Sequence, residues 1–155
     1  MKLNSIFIFS TMIFITKACN GQNSKSEISE RKTAKIEKME SKDKSSLESQ
    51  IVFLKKSMIE YMETANPSYS KNDIEECEKI LNNYLFEISD SKSKEDGLNI
   101  VKKTVEKLNK LNERCNFELI ETSEREQIAE IIILGSSKKG YNRPEEDIIE
   151  KWREW

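Results

Sequence analysis

Apolar residues recur at steps of three and four along the chain after residue 46, which is the period of an amphipathic helix. The clearest stripe lies on one helix and consists of Leu98, Val101, Val105, Leu108 and Leu111. Lysines and glutamates fill the opposite side of that helix. Because a helix with one apolar face needs a partner to cover it, the flanking segments, which carry similar stripes, are predicted to pack against this one.

The same period predicts a first helix from Ser46 or Leu47 to Ala65. It ends at Asn66-Pro67, because the residue before a proline is disfavoured in the helical region. The apolar stripe of this helix consists of Leu47, Ile51, Leu54, Met58, Tyr61 or Met62, and Ala65, and Val52, Phe53 and Ile59 broaden it.

Two serines predict the starts of the next two helices. Ser70 stands three residues before Asp73, which is a variant of the capping box. The predicted core face of this second helix contains Ile74, Cys77, Leu81, Tyr84, Leu85 and Ile88. Ser93 is the predicted N-cap of the third helix, which frays near Arg114.

Residues 128–134 are apolar on nearly every side, which indicates a fourth helix that is buried over most of its circumference. Thr122 or Ser123 caps it, and Gly135 ends it. The β-branched residues would also suit a strand, but the cap and the glycine favour a helix. Residues 116–120 are compatible with an extended segment or with a helical turn.

Pro144 suits the first position of a last helix, in which Ile148, Trp152 and Trp155 share one face. Glycine (4) and proline (2) are scarce, which also favours helices joined by short polar loops. The predicted fold class is therefore all-α, a compact bundle of about five helices over residues 47–155.

The first residues have the pattern of an export signal. Lys2 precedes the apolar run Ile6–Ile15, which is too short to cross a bilayer, since a spanning helix needs about 20 residues. The run is followed by Ala18-Cys19, which resembles the lipobox of bacterial lipoproteins although Thr16 stands where that family has leucine. The resemblance implies cleavage after residue 18 and a lipidated Cys19; ordinary cleavage, which leaves Cys19 as a plain thiol, is the alternative.

Residues 20–46 are polar, charged and poor in aromatic side chains, so we expect residues 19–46 to form a lipidated cysteine and a disordered tether. Residues 1–18 are the predicted signal peptide. The predicted location is therefore the cell envelope, on a membrane that faces the periplasm or the cell surface. A soluble periplasmic or secreted protein is the alternative.

Charge and composition exclude several functions. Residues 47–155 carry 17 basic and 23 acidic residues, a net charge of −6, whereas binding to a nucleic-acid backbone needs a basic patch. The chain has no histidine, the commonest general base and metal ligand. We therefore predict no catalytic residues, no metal, no cofactor, no nucleic-acid partner, and membrane contact through the lipid anchor alone.

Five residues near the C-terminus are candidates for binding a protein partner: Trp155, Arg153, Tyr141, Lys138 and Lys139. Tryptophan is prominent in interface hot spots. The alternative is that these residues have no role in binding: Trp152 belongs to the core, Trp155 is a terminal lid, and the lysines lie in an ordinary soluble loop.

Cys77 and Cys115 are a candidate disulfide, because exported proteins often pair their cysteines. In an antiparallel hairpin of the second and third helices, Cys77 lies about 16 Å from the turn and Cys115 about 26–31 Å from it, at 1.5 Å per residue. Bridged Cα atoms lie within about 7 Å of each other. The spacing therefore favours two separate, buried thiols.

Three stretches, Leu108–Thr122, Arg125–Ile128 and Asp147–Trp155, resemble a family of small bacterial proteins known as a domain of unknown function. The closing Trp-Arg-Glu-Trp is the most distinctive part of the resemblance. It implies a compact helical fold and brings no activity with it.

Two functions suit these observations. The first is a non-enzymatic helical domain that binds another protein of the envelope. The second is a periplasmic inhibitor or immunity-type protein that occludes a toxin or hydrolase, for which an acidic domain would suit a basic target.

Overall fold

The computed structural model describes residues 46–155, which form an all-α bundle of four helices and no strand. The helices are α1 (46–65), α2 (Lys71–Asp90), α3 (Lys94–Arg114) and α4 (Thr122–Lys138). The predicted signal peptide, Cys19 and the tether up to residue 45 lie outside the described residues. No helix in the described range is both long and apolar enough to cross a bilayer.

Helix α1 buries the predicted residues Leu47, Ile51, Leu54 and Met58 against the bundle. It stops at Asn66, whose φ of 49° is left-handed, a region that asparagine tolerates better than most residues. The predicted end of the first helix at Asn66-Pro67 is therefore confirmed. A salt bridge of 2.7 Å between Lys55 and Glu78 also joins α1 to α2.

Helix α2 begins as predicted at a capping box. The Asp73 carboxylate accepts hydrogen bonds from the backbone N–H of Ser70 at 2.9 Å and from its hydroxyl at 2.6 Å. The predicted core face is confirmed in full, since the buried residues of α2 are Ile74, Cys77, Leu81, Tyr84, Leu85 and Ile88.

Helix α3 begins at the predicted cap, where the Ser93 hydroxyl accepts a 3.1 Å hydrogen bond from the N–H of Asp96. Its last turn does not fray. Asn116 takes a left-handed φ of 54°, and the next N–H, that of Phe117, donates to the Asn112 carbonyl at 2.8 Å. This is the Schellman motif, in which N–H groups beyond the end of a helix donate hydrogen bonds to its last carbonyl groups.

Helix α4 does not end at Gly135, which corrects the prediction from the sequence. The helix continues to Lys138, and Gly135 is buried within it. A Cβ atom on Gly135 would lie 2.8 Å from Cε1 of Tyr84, so the glycine allows the tyrosine ring to approach the backbone. The Tyr84 hydroxyl donates to the carbonyl of Ile132 at 2.6 Å.

The predicted fifth helix is also wrong, because residues 139–155 form turns and irregular structure. Asp147 accepts hydrogen bonds from the N–H groups of Ile149 and Glu150, which makes a local turn instead of a helix start. Asn109 of α3 binds this segment through both ends of its side-chain amide. The amide nitrogen donates to the Trp152 carbonyl at 2.7 Å, and the amide oxygen accepts from the Glu154 N–H at 3.3 Å. Because a short helix is costly to nucleate, these contacts favour an irregular segment at 139–155 that folds back onto α3, which we call the strap.

Candidate functional site

The loop after α4 uses its predicted binding residues for contacts within the domain. Lys139 donates to the Ser89 carbonyl at 2.9 Å, and Lys138 is exposed at the end of the helix. Tyr141 is half-buried, and its hydroxyl lies 3.1 Å from that of Ser91. Its ring lies so close to Gly97 that a Cβ atom there would be 2.4 Å away. Tyr141 therefore fastens the loop to the start of α3.

The two C-terminal candidates are likewise engaged within the domain. Trp155 is 9% exposed and belongs to the core, whereas Trp152 is half-buried, so their places are the reverse of the core-and-lid arrangement considered from the sequence. Arg153 pairs with Asp147 at 2.9 Å. The five candidates do not come together as one exposed surface, and their role in binding stays a prediction.

Cys77 and Cys115 are both buried, and both are free thiols. Burial raises the pKa of Cys77 to about 12 and that of Cys115 to about 11. Because the thiolate is the reactive form of cysteine, both side chains are weak nucleophiles at neutral pH.

Charged residues at the end of the bundle where α2 begins and α3 ends tie the loops together. Arg114 reaches Asp73 at 3.0 Å and Glu76 at 2.7 Å. The Ser70 hydrogen bonds, and then Arg114, hold the pKa of Asp73 below its ordinary value. Glu118 accepts from the Ser68 N–H, which lowers the pKa of that carboxyl group too. Asp73 and Glu118 thus accept hydrogen bonds that hold the loops in place, an arrangement that suits a structural role better than proton transfer.

Large apolar side chains on the surface offer a different candidate. The described residues of this kind are Val52, Phe53, Tyr61, Phe86 and Phe117. Val52 and Phe53 are 62% and 63% exposed, so they do not broaden the core stripe of α1 as predicted. They are also neighbours in the chain, which makes them the one adjacent pair in this set.

Phe53 borders an open groove between α1 and α4, which we call the α1–α4 groove. The groove has a volume of about 560 Å³, and the residues that line it are Ser46, Ser49, Gln50, Phe53, Gln127 and Glu130. One of these residues is aromatic and the other five are polar, so the groove offers several hydrogen-bonding groups beside one apolar ring.

The polar groups of the α1–α4 groove are rich in hydrogen-bond acceptors. The side-chain oxygen of Gln50 is buried and has no hydrogen-bond partner. The Gln127 amide nitrogen donates to the Ser123 carbonyl at 3.2 Å, which leaves its amide oxygen to accept. Glu130 is the one charged residue among the described lining residues, and it takes part in no ion pair with another of the residues 46–155.

The sequence does contain a signal for this surface, which our prediction misassigned. Leu47, Ile51, Leu54 and Met58 already fill one helical face, and Val52 and Phe53 lie on the outward side of the helix, each about 100° from the nearest residue of that stripe. An excess of apolar residues beyond one face therefore indicates a second contact surface. The opposite wall, with Gln127 and Glu130, lies too far along the chain for any periodicity to reveal.

No group of three or more histidine, cysteine, aspartate or glutamate side chains within residues 46–155 is arranged to hold a metal ion. Comparisons with family models, with curated proteins and with solved structures give no match. The resemblance of the C-terminal stretches to a bacterial family of unknown function therefore stays a prediction.

Proposed function

We propose that residues 47–155 act as a non-enzymatic protein-binding module whose contact surface is Val52 and Phe53 together with the α1–α4 groove. The observation that supports this proposal is the adjacent pair of exposed apolar side chains beside an open recess. Full burial of a side chain of this size contributes about 1.5–3 kcal/mol, so a partner that covers both gains substantially.

Phe86 is even more exposed, at 68%, but it supports no such surface. Its neighbours Asn82, Asn83 and Glu87 are polar and exposed, and it does not line the α1–α4 groove. Apolar residues that are scattered singly over a surface are ordinary, whereas contiguous patches mark interaction sites. Phe86 therefore serves as a matched control for Phe53.

The proposed location is the cell envelope, with the chain exported and anchored by a lipid on Cys19. The apolar run Ile6–Ile15 followed by Ala18-Cys19 supports this part of the proposal. The partner is then another protein of the envelope. Intact mass and fractionation of the full chain beside a Cys19→Ser variant test the anchor: a membrane-bound product with added acyl chains, lost in the variant, is expected. A soluble product of unmodified mass contradicts it.

Site-specific photocrosslinking tests the contact surface. The full chain carries p-benzoylphenylalanine at position 53 or, as the control, at position 86, and cells of the source bacterium are irradiated. We expect a discrete adduct with one envelope protein from position 53 and no such adduct from position 86. Mass spectrometry then identifies the partner.

Three outcomes count against the proposed surface. They are no adduct from position 53, the same adducts from positions 53 and 86, and an adduct formed only within the chain or with a second copy of it. The last outcome means that the chain covers its own apolar pair.

The acidic character of residues 47–155 favours a second candidate, an inhibitor or immunity-type protein that occludes a basic toxin or hydrolase. Both candidates use the same surface, so the adduct alone does not separate them. An inhibitor abolishes the catalytic activity of the crosslinked partner when the purified proteins are mixed, whereas a binding module leaves any such activity unchanged.

A further inference from the structure

The α1–α4 groove has the chemistry of a site for a cation. Among the described residues that line it, Glu130 is the one charged residue, and none is a lysine or an arginine. The Gln50 side-chain oxygen has no hydrogen-bond partner, so it is an unused acceptor beside the groove. The described lining residues therefore offer acceptors and negative charge, with no positive side chain among them to balance that charge.

The aromatic wall narrows the choice of cation. Phe53 is 63% exposed, which leaves its ring free to contact a ligand in the groove. A planar guanidinium group stacks on an aromatic face and can bind a carboxylate through two parallel hydrogen bonds. A lysine ammonium is more strongly hydrated and lacks the planar shape. The combination of Phe53 and Glu130 thus suits arginine best.

We infer that the partner inserts an arginine side chain into the α1–α4 groove, with the guanidinium group between the Phe53 ring and the Glu130 carboxylate. This inference rests on the proposed function, because it specifies the partner's chemistry at the same surface. Arginine is enriched at interfaces and their hot spots, and exposed Val52 extends the contact beyond the groove.

The groove is open to solvent, so a free arginine binds weakly here. An exposed ion pair contributes little to binding, and the partner's surface must cover the groove before the pair is strengthened. The inference therefore concerns an arginine presented on a protein, and a small peptide can report the recognition without reproducing the affinity.

A titration with two matched peptides tests the inference without any partner protein. The full chain is ¹⁵N-labelled in detergent micelles and titrated with acetyl-Gly-Arg-Gly-amide or with the same peptide carrying citrulline, the neutral analogue of arginine. We expect saturable shifts of the side-chain amide signals of Gln50 and Gln127, with about threefold weaker binding of the citrulline peptide. Glu130→Gln lowers arginine binding to the citrulline level. Glu126→Gln, one helical turn away and outside the groove lining, leaves it unchanged.

Equal binding of the two peptides overturns the inference, as does the absence of shifts at Gln50 and Gln127 with either peptide. A Glu130→Gln variant that binds arginine as well as the Glu126→Gln variant overturns it too. Because the titration uses no partner, its failure leaves an adduct from position 53 standing, and the proposed binding function with it. Conversely, a missing adduct does not change the titration, so the two proposals fail separately.

Discussion

Two aromatic side chains, Tyr84 and Phe53, show what separates the interior of this domain from its proposed contact surface. Tyr84 is 1% exposed, its ring packs on the backbone at Gly135, and its hydroxyl is paired with Ile132. Phe53 lies 63% exposed beside an open groove. Tyr84 is therefore packed on all sides within the domain, whereas most of the Phe53 side chain is exposed to solvent.

The difference separates stability from function. A buried aromatic side chain stabilises the fold through dense packing. Substitution of that residue, or of a residue packed against it, is therefore expected to lower the free energy of unfolding. An exposed aromatic side chain contributes little to folding, and its apolar surface is available to a partner. The contrast therefore predicts large effects on stability around Tyr84 and effects on binding around Phe53.

The largest effect is expected for Tyr84→Ala. The substitution removes a buried ring and leaves the Ile132 carbonyl without its side-chain donor, so we expect the free energy of unfolding to fall by about 3–5 kcal/mol. Urea unfolding followed by circular dichroism measures this loss. A loss below about 1 kcal/mol would contradict the described packing of α2 on α4.

A smaller loss is expected for Gly135→Ala. The added Cβ atom meets Tyr84 at 2.8 Å, and strain of this kind costs about 1–3 kcal/mol. Alanine has the better helix propensity and offsets about 1 kcal/mol of that cost. Unfolding of the double variant checks the cause. In the Tyr84→Ala background the clash is gone, so Gly135→Ala should be neutral or stabilising, and an unchanged penalty there would rule out the tyrosine as its cause.

The Tyr84–Gly135 contact also shows where the sequence stopped being informative. All six core positions of α2 were predictable, because a repeat of three and four residues is a local property. Gly135 follows an apolar run and matches the signal for a helix end, but its real partner is Tyr84, about fifty residues earlier. The irregular strap at 139–155 was missed for the same reason, since Asn109 of α3 anchors it. The candidate site was only partly predictable: Val52 and Phe53 stand out as excess apolar residues, whereas Glu130 is brought beside Phe53 by the tertiary fold alone.

Asp73 is partly buried, between Tyr84 and Phe53 in exposure, at the end of the bundle where α2 begins. Its contribution to the free energy of unfolding should depend on pH. Its pKa is lowered in the folded protein, so it stabilises the fold above its unfolded pKa, and that contribution is lost as the pH falls through the folded pKa. We expect Asp73→Asn to cost about 1 kcal/mol at pH 7 through the lost capping interactions. Urea unfolding of both proteins at pH 7 and below pH 3.8, the ordinary pKa of the group, should show the difference shrinking in acid. Glu75→Gln, an exposed position with a 3.9 Å ion pair to Lys71, is the control and should change little at either pH.

The smallest effect on stability is expected for Phe53→Ser, and this small effect is what gives the comparison its meaning. The ring is mostly in water already, so the free energy of unfolding should change by no more than about 0.5 kcal/mol, as for the control Phe86→Ser. Binding should separate the two variants. With the photocrosslinker moved to position 52, Phe53→Ser should lose the adduct with the partner, whereas Phe86→Ser should keep it. If Phe53→Ser instead lowers stability by more than about 1 kcal/mol, the ring contributes to the fold like a core residue and the distinction from Tyr84 fails. A variant that folds as well as the unmodified chain but no longer forms the adduct would assign the exposed face of α1 to recognition, since no loss of structure could then explain the loss of binding.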